Sequence, residues 1–348
     1  MNSNYKIYDA IAVDVLNLLH KLYQLDNKAS ESKEELFNIG NKLVYRNLTV
    51  SFIEYIYYLR ENFLKNDSSL IYLLYDPFYS KTKGSSTSIY THFKKSKRKR
   101  VSASYKGNRA KLKISEVFYT TLRLLKYFFL NSEPFIKSVQ IQNLEADDLI
   151  YPLIQQELDK DTKSKILLVT NDSDCYRYVS ESVHFQPILR NPPEGIEYIY
   201  RKLGFRPSEE RVVIYKTLLG DSADNIPAII PTAEKQLLVD YLNKNPEDTL
   251  QDVIVKSRKY INKYDETEKF LYLVKANESQ VKINEFLVRR INVDLPQFHA
   301  STCEGKQNGK IIKAINLLLK RDSLENNIDL KNFTFGNISV KRANTEEA

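Results

Sequence analysis

The sequence predicts an α/β fold, a mostly parallel central sheet flanked by helices and followed by a helical C-terminal half. Three observations carry this expectation. Short apolar runs alternate with segments of helical periodicity through residue 190. The first two runs end in aspartate, Asp14 and Asp76, and the third is followed by T-N-D-S-D, so acids sit where open α/β sheets bind ligands. After Asn191-Pro192-Pro193 the β signal fades and helix-start and helix-stop residues take over.

The first run, Ile7 to Val13, reads as a buried strand. Asp14 at its end either caps the helix Leu16 to Leu25 or faces a ligand. Residues 27–42 are polar and read as a loop or a short helix. From Arg46 to Lys65, Phe52, Ile53, Ile56, Leu59, Phe63 and Leu64 recur at helical spacing. A second strand, Leu70 to Tyr75, ends in Asp76-Pro77, and Phe118 to Leu130 is again helical. Asn143 to Leu158 reads as a helix whose first turns hold Glu145, Asp147 and Asp148; Glu145 and Asp148, three apart, share a face. Strands Lys165 to Val169 and Val183 to Leu189 follow. Ser208 is an N-cap, Glu209 and Glu210 suit the positive end of a helix running to Leu219, and Gly220 stops it. Further helical patterns lie near Glu234 to Leu242, Glu266 to Val274, Ser279 to Val288 and Lys310 to Leu319. The boundaries that result are an α/β core over 1–190 containing a basic segment at 77–115, a helical region over 191–335, and a disordered tail over 336–348.

With 348 residues the chain is long enough for one large domain or two modest ones. Cys175 and Cys303 stand far apart, and the four histidines (His20, His92, His184 and His299) are scattered, which argues against a disulfide framework, a zinc site or a histidine-based centre. M-N-S-N-Y-K lacks the apolar core of a signal peptide, and no apolar run approaches a membrane span, so a cytoplasmic protein with no membrane partner is expected.

The net charge of +8 is modest, but its distribution is uneven. Residues 77–115 hold twelve cations, including Lys94, Lys95, Lys97, Arg98, Lys99 and Arg100, and no Asp or Glu. Tyr90, Phe93 and Tyr105 are interleaved, and Y-K-G-N-R sets Tyr105 beside Lys106, a glycine and Arg109. Aromatic rings stack on bases while Lys and Arg hold phosphates, so single-stranded or frayed nucleic acid is the partner such a segment fits.

The acids form a second set: Asp14, Asp76, Glu145, Asp147, Asp148, Asp172, Asp174, Asp221 and Asp224. An acidic first turn is ordinary helix-start chemistry, but carboxylates converging on one sheet edge repel one another unless cations lie between them. Hard divalent ions take such oxygen ligands, and two of them about 4 Å apart activate water for in-line attack on a phosphodiester.

E-A-D-D, T-N-D-S-D, G-D-S-A-D-N-I-P and Y-K-G-N-R, in this order and spacing with Asp14 and Asp76, resemble the motifs of the 5′ nuclease or flap endonuclease superfamily over most of residues 7 to 295. Glu285 to Pro296 resembles the family's closing helix and its exit. The resemblance implies a PIN-like nuclease core, a helical arch over 77–115 and a helix-three-turn-helix-like element in the C-terminal region. It implies a structure-selective 5′-3′ exonuclease and flap endonuclease acting on DNA with 5′ single-stranded ends or flaps and on RNA–DNA hybrids, including primers. Two or more Mg2+ ions, replaceable by Mn2+, would lie among the nine acids: Asp14, Asp76, Glu145, Asp147, Asp148 and Asp172 around one region, Asp174, Asp221 and Asp224 around the other. Lys106 and Arg109 would polarise the scissile phosphate with Asp148 as the catalytic acid, Tyr105 would stack on a base, and the cations from Lys94 to Arg100 would line the arch. A monomer is implied, with a replication protein reached through the tail, in a host cytoplasm if the chain is phage-encoded.

One departure stands out. Where relatives carry a glycine-rich hairpin, this chain reads Ala228 to Lys235 without a glycine, which leaves open the hairpin geometry and K+ binding; Lys235 is the phosphate contact that remains. A non-catalytic branched-DNA binder of the same fold would have shed acids, and none is lost. A topoisomerase-primase domain would leave Asp14, Asp76 and Y-K-G-N-R unexplained, and a PIN-type ribonuclease is shorter and lacks the basic insertion.

Overall fold

The computed structural model describes residues 6–29, 36–39, 42–76, 102, 116–129, 134–141, 144–190, 192–260 and 269–291, with 313, 315, 316 and 319. Strand β1 (Ala10–Asp14) is the middle of a five-stranded sheet with β4 (Leu70–Leu74), β5 (Ile136–Val139), β6 (Ile166–Val169) and β7 (Val183–Gln186). The order is β5-β4-β1-β6-β7 and every pairing is parallel.

Successive side chains leave a strand on opposite faces, and here both faces are covered. Ile11, Val13, Ile71, Leu73, Leu167 and Val169 join one core with helices α1 (Val15–Ala29), α2 (Arg46–Phe63) and α3 (Glu116–Phe129). Ala10, Ala12, Leu74, Ile166 and Leu168 join the other, beneath α4 (Ile150–Lys160) and α5 (Ile196–Leu203). Burial on two sides is why these strands read as unbroken apolar runs. The chain lays down β1, β4 and β5 in one direction and returns for β6 and β7 in the other, so the order reverses between β1 and β6. Loops leaving the carboxyl ends of strands at such a reversal diverge and open a crevice.

Several elements differ from the sequence expectation. Within residues 27–42, read as a loop or short helix, β2 (Leu36–Ile39) begins an antiparallel hairpin with β3 (Lys42–Tyr45). Ile39, Val44 and Tyr45 are buried while Leu36, Asn38, Lys42 and Leu43 face out, so apolar residues lie on both sides of these four-residue strands and no period stands out in the sequence. Strand β5 was masked in the same way, since this edge strand carries the exposed Lys137. Residues 146–149 form a 3-10 turn that leads into α4, where a continuous α-helix was expected. Helix α5, absent from the sequence reading, ends at Gly204 (φ 85°), where a Cβ would meet Val239 Cγ1 at 2.9 Å.

The C-terminal half packs around α6 (Glu209–Leu219). Its Val212, Ile214 and Leu218 bury against α7 (Lys235–Lys244), α8 (Leu250–Lys259) and α9 (Lys269–Ala276). Val213 meets Ile226 and the Leu287 and Val288 of α10 (Glu278–Val288) on the opposite side. Helix α8 was also missed, although Thr249 and Asp252 exchange side-chain and backbone hydrogen bonds as a capping box whose T-x-x-D spacing is legible. Of the helix expected at Lys310 to Leu319, residues 313, 315, 316 and 319 are described and are helical, with Ile315 buried in the first core; the tail and all of the arch but residue 102 lie outside the described residues. No helix among the described residues is long and apolar enough to cross a membrane.

Candidate active site

The acids that follow strands gather at the carboxyl edge of the sheet, on both sides of the reversal. Asp14 closes β1; its Oδ1 accepts the Asn17 N–H at 3.0 Å, capping α1, while Oδ2 lies 3.4 Å from the Thr170 hydroxyl. Thr170 in turn accepts the Asp172 N–H at 3.1 Å, which couples the ends of β1 and β6. Asp172 caps the 3-10 turn Ser173–Tyr178 by accepting the Asp174 N–H at 2.9 Å. Asp76, beyond β4, accepts the Ala146 N–H at 2.9 Å and so orients the E-A-D-D turn. The two readings of Asp14, as cap and as site residue, are therefore compatible: one oxygen serves the helix and the other looks along the sheet edge.

Cys175 shows how closely these groups converge. It is buried, and burial first, then the charges of Asp172, Asp14, Asp147 and Asp174, push its thiol well above the ordinary range. Asp148 turns the other way. It is fully buried, its Oδ2 accepts the Glu145 N–H at 3.2 Å and its Oδ1 accepts the Ile291 N–H at 2.9 Å. The face shared with Glu145 holds in the tighter 3-10 turn, whose residues three apart eclipse, but Asp148 spends that alignment on backbone amides.

Asp221 and Asp224 lie on the loop after α6. Gly220 adopts φ 71°, and a Cβ there would stand 2.6 Å from the Ile226 carbonyl oxygen and 2.7 Å from the Ala228 nitrogen. The loop is pinched by reciprocal Asp221 and Ile226 backbone bonds of 3.0 and 2.8 Å. Lys216, one turn earlier, was missed by the sequence reading. Its buried ammonium contacts Asp174, reaches Asp221 Oδ2 at 3.1 Å and donates to Ser173 Oγ at 3.0 Å. Burial opposes its charge, but Asp174, Asp172 and Asp221 outweigh it and hold the ammonium above its usual value. A lysine inside the apolar run V-V-I-Y-K-T-L-L was the available signal, since an unpaired ammonium is not kept in a core.

The donor set is entirely carboxylate oxygen, which fits hard divalent ions. Among the described residues no three acidic, thiol or imidazole groups stand close enough to hold one ion as they are; Lys216 lies between Asp174 and Asp221. Lys235 opens α7 with its ammonium 5.8 Å from the centre of the Tyr215 ring. Lys94, Lys95, Lys97, Arg98, Lys99, Arg100, Tyr105, Lys106 and Arg109 lie outside the described residues.

Acids at the carboxyl edge of a parallel sheet, on both sides of its reversal and beside a helical half, belong to an α/β fold of the PIN-like type. Residues 71–201 match the 5′-3′ exonuclease, N-terminal resolvase-like domain. The chain is 30% identical to the 5′-3′ exonuclease of Buchnera aphidicola over 141 residues, 40% of this chain and 46% of that one. It is 26% identical over 219 residues to the 5′-3′ exonuclease of Mycoplasmopsis pulmonis, 61% of this chain and 67% of that one. Thermostable DNA polymerase I of Thermus thermophilus is 35% identical over 101 residues, 28% of this chain and 11% of that one. The matched stretch thus spans about half of the Buchnera protein and a small part of the polymerase. Among solved structures, bacteriophage T5 5′-exonuclease with divalent zinc ions superposes with a TM-score of 0.54 at 17% identity, covering 91% of this chain and 98% of that one. A bacteriophage T5 flap endonuclease complex with DNA and metal ions gives a TM-score of 0.54 at 17% identity over 89% and 99%. Residues 71–201 of this chain are thus similar to the 5′-3′ exonuclease N-terminal domain, and its fold is similar to that of the T5 nucleases.

Proposed function

We propose that this protein is a divalent-metal-dependent, structure-selective 5′ nuclease that hydrolyses phosphodiesters at 5′ ends, flaps and RNA primers. The observation that carries the reading is the placement of Asp14, Asp76 and Asp172 at the carboxyl edge of the sheet, where Thr170 joins Asp14 to Asp172 and Asp76 holds the E-A-D-D turn. The match of residues 71–201 to the 5′-3′ exonuclease N-terminal domain and the fold shared with metal-binding T5 nucleases support it.

In this reading Asp14, Asp76, Glu145, Asp147 and Asp172 hold one ion directly or through water, with Asp148 fixing the turn that carries two of them, and Asp174, Asp221 and Asp224 serve the second region. Mg2+ is the expected ion and Mn2+ a substitute. Bound there, such ions supply Lewis acidity toward the phosphate and a nucleophilic water at neutral pH. The chain's own groups do the rest. Asp76 and Thr170 orient neighbouring segments, and Lys216 neutralises Asp174 and Asp221 from below. Lys106 and Arg109 polarise the phosphate, Tyr105 stacks on a base, and the cations from Lys94 to Arg100 guide a single-stranded end, with Lys235 touching duplex phosphate. Cys175 takes no part as a nucleophile, because its thiol is buried away from any substrate.

The decisive test is incubation with a 5′-flap duplex and with an RNA-primer–DNA hybrid, in Mg2+ and in EDTA. Cleavage of both in Mg2+, abolished by EDTA, is the expected result. Junction binding with no cleavage in either Mg2+ or Mn2+ would make the chain a branched-DNA binder.

A further inference from the structure

We infer that α10 and its exit, residues 284–291, form the frame that sets the three acid-bearing segments in register, and that Asn284 is a positioning residue for the second of the two acidic regions. The inference rests on the nuclease reading for its consequence but on separate contacts for its evidence. None of the nine acids lies in this stretch, yet each acid-bearing segment of the later chain is tied to it through a buried polar group.

Asn284 is fully buried. Its Nδ2 donates to the Thr217 carbonyl at 3.0 Å and to the Pro227 carbonyl at 2.7 Å, while its Oδ1 accepts from Gln280 Nε2 at 2.9 Å. Thr217 and Pro227 flank the loop that carries Asp221 and Asp224, so a single carboxamide sets the separation of the two ends of that loop. Four residues on, the Val288 carbonyl accepts from Arg177 Nη1 at 2.9 Å; the same buried guanidinium donates through Nε to the Asp174 carbonyl at 2.7 Å. At the exit the Ile291 N–H is held by Asp148 of the E-A-D-D turn.

The frame is itself fixed from outside. Arg289 forms paired bonds to Glu210 of 2.8 and 2.9 Å, and Arg290 bonds Glu209 at 2.7 Å while lying 3.5 Å over the Tyr151 ring. Groups behind a metal site that orient its ligands typically change metal affinity 10- to 100-fold when removed. A buried carbonyl deprived of its donor also draws water or moves, and the Asp221 loop has little room for either beside Gly220.

The test compares Asn284→Ala and Asn284→Ser with Val274→Ala, a packing control buried in α9 outside the frame, all in the full-length chain. Two quantities are read: the Mg2+ concentration for half-maximal flap cleavage, with KM for DNA, and the rise in Tm produced by Ca2+ alone. Asn284→Ala should raise the half-maximal Mg2+ concentration on the order of 10-fold. It should shrink the Ca2+ shift and leave KM for DNA within a factor of about 2, with Asn284→Ser intermediate because a hydroxyl restores one donor. Val274→Ala should lower Tm without moving either metal readout. Asn284 variants that lose Tm while keeping wild-type metal dependence would overturn the inference and leave Asn284 a packing residue. Should Asn284→Ala fail to fold, Asn284→Ser decides between the same outcomes. A wild-type protein that cleaves nothing would defeat the nuclease reading, and the Ca2+ shift would still decide this one.

Discussion

The two acidic regions are built on different principles. At the strand ends, Asp14, Asp76 and Asp172 are oriented by N–H groups and a hydroxyl, at 2.9 to 3.4 Å. Between that edge and the helical half, Asp174 and Asp221 share the buried ammonium of Lys216. A dipole turns a carboxylate without cancelling its charge, whereas an ammonium both turns and neutralises it. In the second region a cation must therefore share carboxylates with Lys216.

The sharpest way to break this contrast is Asp172→Asn. It removes one charge from the strand-end group but keeps an oxygen for the Asp174 N–H, so the fold should survive while flap cleavage falls by roughly 10³-fold or more. Single-turnover rates beside a far-ultraviolet spectrum check it; a loss of under about 10-fold would place Asp172 outside the chemistry.

Next comes Lys216→Met. Taking away one member of a buried ion cluster typically costs about 3–5 kcal/mol. That loss should be visible in EDTA and substantially recovered in millimolar Ca2+, because a divalent ion can then take the place of the ammonium. Equal destabilisation with and without Ca2+ would mean that this region does not accept an ion. Gly220→Ala should cost about 1–3 kcal/mol, since an L-residue at φ 71° is strained and its Cβ meets backbone at 2.6 Å. Urea midpoints unchanged by that substitution would show that the loop is softer than its contacts suggest.

The smallest effect sharpens the boundary between the two regions. Arg289 hydrogen bonds, with help from the Leu250 N–H, hold Glu210 below its usual carboxylate pKa. A depressed carboxylate contributes stability above its unfolded pKa, ordinarily near 4.3, and that contribution is lost as pH falls through the folded value. Because the pair is half exposed, Glu210→Gln should cost only about 1 kcal/mol at pH 7. The gap from wild type should close below about pH 4. A pH-independent difference in urea midpoint would assign the effect to packing.

Much of this was legible in order along the chain. The apolar runs of β1, β4 and β6 and the aspartates beyond them locate the sheet edge, because strands buried on two faces need no polar residues until they end. Ser208 announced α6 correctly, and its hydroxyl accepts the Arg211 N–H. The β2–β3 hairpin and β5 were not legible, since four-residue strands give too few positions for a period to emerge. Asp148 was assigned with its neighbours because spacing reports the face a side chain occupies and not which partner waits there.

What the sequence determined by itself was the alternation of elements, the acids at their ends and the segregation of positive charge into residues 77–115, all of them local properties of composition and period. Only the tertiary structure decided that Lys216 sits between Asp174 and Asp221, that Asp148 faces Ile291, and that Asn284 spans the ends of the Asp221 loop. Most of these partners are separated by 42 to 143 residues. A polar contact at such range depends on how helices register against one another in the packed core, and hydrophobic periodicity constrains which face is buried but not which polar atoms meet across it.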